Sequence, residues 1–194
     1  GHVIEQLLAK GHAVVGTVRD PKDAAKVGFL TAMQGDLRLV AANLLDADPF
    51  TAHADVDAIL HLASPYIVNV KDPQRDLVDP AVQGTLSMLR AAKANPRVKR
   101  VVLTSSMAAV TDEPDGRVLT EADWNSKSSL ARNPYYFSKT LAERAAWDFM
   151  AAERPGFDLV VINPFLVMGP SHTRAANASP EVFVNMLKGQ YPAV

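Results

Sequence analysis

Two tyrosines and a lysine share one short stretch, Pro134-Tyr135-Tyr136-Phe137-Ser138-Lys139. The run that follows, Thr140-Leu141-Ala142-Glu143-Arg144-Ala145-Ala146-Trp147, favours helix. On a helix, positions i and i+4 share one face, one turn apart. A phenol and an ammonium are then held side by side on a rigid element. Pro134 suits the first helical position, where its missing N–H costs nothing. A neighbouring ammonium favours the phenolate and lowers a tyrosine pKa from its usual value of about 10. Such a pair can move a proton. At 100° per residue, Tyr135 lies about 40° from Lys139 and Tyr136 about 60° on the other side. Spacing alone does not choose between them. A surface tyrosine beside a surface lysine gives the same bare pattern, so the surrounding elements have to decide.

Those elements alternate. Val3, Ile4, Leu7 and Leu8 put one apolar stripe on a helix from Gly1 to Lys10, and Gly11 stops it. A β-branched run over 12–18 predicts a strand, ended by Arg19-Asp20-Pro21, and a helix is expected over 22–33. Strands are predicted over 37–42, 56–62, 98–104 and 157–162. The strand over 56–62 is so continuously apolar that cover on both faces is expected. A short piece near 48–53 precedes it. A long helix over 76–94 should kink or restart at Pro80, with Leu77, Val82, Leu86, Met88 and Leu89 facing the core. The stretch 111–133 is polar and irregular, with a capping turn at Thr120-Glu121-Ala122-Asp123. A last helix should begin at the cap Ser179 and stop at Gly189. Helices alternating with strands imply an α/β fold, a Rossmann-type doubly wound parallel sheet with helices on both faces.

Composition narrows the function classes. Of 194 residues, 48% are hydrophobic and 21% charged, with a net charge of −1, which suits a globular chain and argues against nucleic acid or an anionic membrane as partner. With no Cys there are no disulfides or thiolate metal sites. His2, His12, His53, His61 and His172 show no ligand spacing, so no metal is expected. No signal peptide or membrane-length apolar run is visible, and a cytoplasmic protein is expected.

In open parallel sheets, ligands bind at the carboxyl ends of the strands. The residues there are Arg19, Asn43, Ala63-Ser64-Pro65, Thr104-Ser105-Ser106 and Asn163-Pro164. Together they make a rim able to hydrogen-bond an extended polar ligand. Arg19 is the more specific: after this strand an acidic residue binds a ribose 2′-hydroxyl, whereas an Arg accommodates a 2′-phosphate. Lys26, about two turns on, would add positive charge.

A set of segments in order carries a resemblance. They are Gly1 with its helix, Gly16-Thr17-Val18-Arg19-Asp20-Pro21, His61-Leu62-Ala63-Ser64-Pro65, Asp79-Pro80-Ala81-Val82-Gln83-Gly84-Thr85, Val101-Val102-Leu103-Thr104-Ser105-Ser106, Tyr135-Tyr136-Phe137-Ser138-Lys139-Thr140-Leu141-Ala142-Glu143, and Asn163-Pro164 through Gly169-Pro170. The chain resembles the extended short-chain dehydrogenase/reductases, nearest to the dihydroflavonol-4-reductase-like group with its cinnamoyl-CoA reductases and carbonyl reductases. The resemblance implies that Gly1 is the third glycine of a T-G-x-x-G-x-x-G turn, and that the family's first strand and its C-terminal substrate region are not in this sequence. Residues 1–170 would be the NAD(P)-binding Rossmann domain lacking that strand, and 171–194 the start of the substrate-binding region. It implies Ser106, Tyr135 and Lys139 as the catalytic set, selecting Tyr135 over Tyr136. It implies Gly1, Arg19, Lys26, Asn43, Leu44, Ala63, Ser64, Thr104, Tyr135, Lys139, Pro164 and Val167 at the cofactor, and Tyr66, Met107, Thr111 and Phe165 at the substrate. The implied reaction is reduction of an aldehyde or ketone with NADP(H), NAD(H) being the alternative, in a monomer or homodimer. An NAD-dependent sugar-nucleotide epimerase or dehydratase and a non-catalytic dinucleotide sensor are the other readings. The N-W-Y-x-Y-G-K pattern of cinnamoyl-CoA reductases is replaced here by Asn133-Pro134-Tyr135-Tyr136-Phe137-Ser138-Lys139. Thr111 stands where flavonoid reductases often carry a substrate-touching Asn.

Overall fold

The structure, a computed structural model, describes residues 1–44, 46, 48–53, 55–65, 70–113, 115–172 and 184–190. It divides into two compact units, Gly1–Ala41 with Leu166–Val194, and Ala42–Phe165.

In the first unit, α1 (His2–Ala9) leads into β1 (Val14–Val18), then α2 (Ala24–Thr31) and β2 (Leu37–Ala41). The two strands pair in parallel, Val14 against Leu37 through Val18 against Ala41. A side chain at Gly16 would collide with Leu39, 2.9 Å from where its Cβ would stand, with Ile4 of α1 close behind. Glycine here lets the strand, its neighbour and the helix approach one another. The expected start of the last helix at Ser179 lies outside the described residues. A helical turn at 184–187 is described, and Gly189 ends it with a left-handed φ of 66°.

The second unit carries β3 (Ala58–His61), α3 (Asp79–Ala94), β4 (Arg100–Thr104), α4 (Pro134–Glu153) and β5 (Asp158–Ile162). The strands form one parallel sheet in the order β3-β4-β5, so that Ile59, Val101 and Leu159 line up across it. Parallel strands need crossover connections, and α3 and α4 supply them. Pro80 marks a second start rather than a kink: a π-helical turn, Gln74–Val78, runs directly into α3, and Pro80 sits in the first turn. Met88, Leu89 and Ala92 of α3 and Ala146 of α4 close over Val98, Val101, Leu103 and Phe157, all buried. Leu77 is buried as expected.

One strand differs from expectation. β3 covers Ala58–His61 rather than 56–62, and its burial alternates. Ile59 and His61 face the helices, while Leu60 is 40% and Leu62 53% exposed. Both α3 and α4 contribute to the core on the same side, and on the other face Leu60, Leu62 and Ile162 are partly exposed. An apolar run shows that a strand meets apolar surroundings but not on how many sides.

Candidate active site

Helix α4 begins at Pro134 after Asn133, which adopts the left-handed region at φ 51°. Asn tolerates that conformation better than most residues. Its side-chain amide donates to Asp112, whose carboxylate also accepts from Arg132 Nε at 3.1 Å. The Asp112 side chain is almost fully buried. The long irregular stretch is therefore fastened to the start of α4. It is fastened again at Asn125, whose amide donates to the Ala108 carbonyl at 2.7 Å and whose oxygen accepts from the N–H groups of Lys127 and Ser128. The capping turn forms as expected, with Thr120 N–H donating to Asp123 at 2.8 Å.

Along α4, Tyr135, Lys139 and Glu143 follow at intervals of one turn. Lys139 Nζ stands 5.8 Å from the centre of the Tyr135 ring. Tyr136 lies edge-on to Tyr135, with ring centres 6.1 Å apart. Lys139 is 7% exposed, and burial pushes its ammonium down to about 8, against a raising influence from Glu143. A pocket beside it is lined by His61, Ala63, Ser64, Thr85, Leu103, Thr104, Ser105, Ala142 and Glu143 together with Lys139. It lies where β3 and β4 end, the place a parallel sheet offers to ligands. His61 is 6% exposed, and burial, with the charge of Lys139 added, lowers its imidazole to about 4. It is neutral near pH 7.

The turn after β4 is laced to the end of β5. Ser105 N–H donates to the Ile162 carbonyl at 2.9 Å and Met107 N–H to the Pro164 carbonyl at 3.0 Å. Between them, Asn163 Nδ2 donates to the Ser106 carbonyl at 3.1 Å. Ser106 Oγ accepts from Ala108 N–H at 3.1 Å, capping the 3-10 turn Met107–Ala109. Thr111 N–H closes on the Met107 carbonyl, and its hydroxyl accepts from Glu113 N–H. The buried Ser105 Oγ has no hydrogen-bond partner among the described residues.

The structure thus brings Ala63, Ser64, Thr104 and Lys139 around one pocket, sets Tyr135 beside Lys139, and places Ser106, Met107 and Pro164 in one laced turn. Leu44 packs on α3, its Cδ2 2.6 Å from where a Cβ on Gly84 would stand. The Asn43 carbonyl accepts from Asp46 N–H at 3.0 Å. Phe165 is 75% exposed, and Tyr66 lies outside the described residues. In the first unit, Arg19 follows β1 directly and is exposed, with no ion pair among the described residues. Lys26 pairs with Asp23 at 2.7 Å, which holds that carboxyl below its usual range. Val167 is exposed. Gly1 precedes α1, and a Cβ there would stand 2.5 Å from the His172 ring. His2, Glu5 and His172 bring three donor atoms within 4.8 Å of one another. Histidine spacing along the chain hides this group, because His172 reaches α1 from the far end of the unit. Glu5, about half exposed, stands 3.5 Å from His2 and 3.3 Å from His172.

The family model described as NAD dependent epimerase/dehydratase matches residues 1–194. The chain belongs to this family. It is 41% identical over 200 residues to a cinnamoyl-CoA reductase of Medicago truncatula, covering 96% of this chain and 60% of that protein. It is 40% identical over 198 residues to an anthocyanidin reductase of Vitis vinifera, covering 96% and 58%. The chain thus spans about three-fifths of the length of the curated relatives it matches. Among solved structures, Gre2 from Candida albicans in complex with NADPH matches with a TM-score of 0.85 at 35% identity, over 96% of this chain and 62% of that one. Parallel sheets with flanking helices are the Rossmann-like architecture expected for the family.

Sequence reasoning did not assign Glu143, His61 or Asn125, all buried, to the site or its supports. Glu143 had a signal, since it continues the Tyr135–Lys139 stripe by one turn. His61 and Asn125 had none: a His in an apolar strand and an Asn in a polar loop are ordinary alone.

Proposed function

We propose that the protein is an NADPH-dependent reductase that converts an aldehyde or ketone to an alcohol. Residues 1–170 would serve the nucleotide and 171–194 open the substrate region. The observation that carries this reading is the buried Lys139 ammonium beside Tyr135, in a pocket at the ends of β3 and β4. NADPH, when bound, supplies the hydride. The residues present suit it: an exposed Arg19 after β1 for the 2′-phosphate, a glycine before α1 where backbone N–H groups attract pyrophosphate, and small side chains, Ala63 and Ser64, beside Lys139. Tyr135 gives its proton to the carbonyl oxygen as negative charge builds there. Ser106 donates a hydrogen bond to the same oxygen. Lys139 would stabilise the phenolate that remains and would help to hold the nicotinamide ribose. Met107, Thr111 and Phe165 would border the carbonyl substrate.

The test is Tyr135→Phe in the whole protein, with NADPH oxidation measured against a panel of aldehydes and ketones. Turnover should fall by at least about a hundredfold, as expected for loss of a general acid, while NADPH still binds. Turnover near the wild-type rate refutes the assignment.

A further inference from the structure

Glu143 is 6% exposed, and a buried carboxylate is costly unless its oxygens are hydrogen-bonded and its charge is answered. The first condition is met and the second in part. Oε2 accepts from Asn163 Nδ2 at 2.8 Å, and Oε1 from Trp147 Nε1 at 3.4 Å. Lys139 lies one turn earlier on the same helix face, and its charge answers that of Glu143 in part. Asn163 follows β5 directly and commits both hydrogens of its amide, one to Glu143 on α4 and the other to the backbone oxygen of Ser106.

We propose that Glu143 and Asn163 form a positioning clamp that sets the helix carrying Tyr135 and Lys139 against the turn carrying Ser106. Neither touches the reacting atoms; both act through residues that do. The clamp rests on the reading of Ser106, Tyr135 and Lys139 as the catalytic set. A merely structural role, in which Glu143 and Asn163 only satisfy each other inside the core, would be served equally by any pair that hydrogen-bonds. The clamp asks for more, because Glu143 faces Lys139 as well as Asn163. Its length sets the reach to Asn163, and its charge sets the field at Lys139.

Two substitutions separate those properties. Glu143→Gln keeps the length and an accepting oxygen but removes the charge. Glu143→Asp keeps the charge but withdraws the carboxylate from Asn163. Each is made in the whole protein, alongside Tyr135→Phe and Asn163→Ala. Measurements are kcat, KM for NADPH, the pH–rate profile and the urea midpoint, on the carbonyl compound that the wild-type protein turns over fastest. Glu143→Gln should shift the alkaline limb of the profile to lower pH, because Lys139 loses the charge that holds its proton. Glu143→Asp should leave that limb in place and lower kcat by about ten- to a hundredfold, the scale of a misplacement of about 1 Å. KM for NADPH should change by no more than a few-fold in both variants, since Lys139 supplies only one of the cofactor contacts. Asn163→Ala should lower kcat like Glu143→Asp, and the pair together should cost little more than either alone, since both break one link. Unchanged kcat in Glu143→Asp and Asn163→Ala overturns the clamp, as does a fall in activity that tracks the fraction unfolded with kcat per folded molecule intact. If Tyr135→Phe is inactive while the Glu143 variants turn over normally, the clamp fails and the catalytic reading stands. If Tyr135→Phe itself is active, the underlying reading fails and the clamp falls with it.

Discussion

Lys139→Met should make the protein more stable while abolishing its turnover. An unfolded lysine holds its proton up to about 10.5, whereas burial lowers the ammonium in the native state to about 8. Between those values the unfolded chain binds more protons than the native one, so wild-type stability rises with pH across that window. Below pH 8 the native state carries the full cost of a buried ammonium. At about 1.4 kcal/mol per pH unit of separation, that cost is about 3 kcal/mol at pH 7. A methionine removes the charge and fills nearly the same space as the lysine stem, at a packing cost of about 1 kcal/mol. The expected gain is therefore about 2 kcal/mol at pH 7. At pH 10 most of the native-state penalty has gone, and the charge-related gain should shrink to about 1 kcal/mol or less.

The assay is urea denaturation of both proteins at pH 7 and pH 10, comparing midpoints at equal slope. A variant less stable than wild type at pH 7 refutes the reasoning. So does a stability difference that stays constant with pH, since only a titrating group produces that dependence. Arginine in place of Lys139 is a useful contrast: its charge cannot be shed, and the larger group must fit the same pocket, so it should destabilise at both pH values.

Two further outcomes follow from other parts of the structure. His61 is buried neutral, its imidazole lowered from 6.5 to about 4, so the native state resists protonation and wild-type stability should fall as pH drops below 6.5 towards 4. The loss should reach about 2 kcal/mol at pH 5, and His61→Leu should flatten that part of the urea-midpoint profile; an equally steep profile in the variant refutes the role given to His61. Arg19→Asp should turn the ratio of kcat/KM values for NADPH and NADH towards NADH by at least about tenfold, because a carboxylate repels the 2′-phosphate and accepts from a 2′-hydroxyl. An unchanged ratio removes Arg19 from the cofactor site.

The helix that carries Tyr135 and Lys139 was readable because its signals are local. Pro134 marks the start, the four-residue step from Tyr135 to Lys139 marks the face, and the alanine-rich run sustains the helix. What prepares that start was not readable. Asn133 adopts a left-handed conformation because Asp112, 21 residues earlier, takes its amide, and nothing in the loop composition reveals that pairing. The parallel strands and the positions of Arg19, Thr104 and Asn163 at strand ends followed from the alternation of elements, whereas the order β3-β4-β5 across the sheet did not. The one-sided burial of β3 did not, since Leu60 and Leu62 are as apolar as Ile59. The resemblance chose between Tyr135 and Tyr136, which helical geometry leaves nearly equivalent.

Three ionisable residues, His61, Lys139 and Glu143, border one pocket, each less than a tenth exposed. A chain shaped only for stability would fill such a place with apolar side chains, since replacing buried ion pairs that way is often neutral or favourable. Their arrangement is not that of a self-contained ion pair either. Glu143 directs its oxygens to Asn163 and Trp147, and the net effect on Lys139 is still a lowered pKa, so the carboxylate only partly offsets burial. An ammonium left partly uncompensated beside a phenol is poorly suited to holding a fold together and well suited to stabilising a phenolate that appears during a reaction. That is why the stability of Lys139→Met and the kinetics of the Glu143 variants bear on the same question. If removing the ammonium stabilises the protein and weakening its carboxylate partner slows turnover, the pocket is maintained for chemistry at the expense of stability. If both changes merely destabilise, the cluster is a structural ion network, and the proton donor has to be sought elsewhere in the chain.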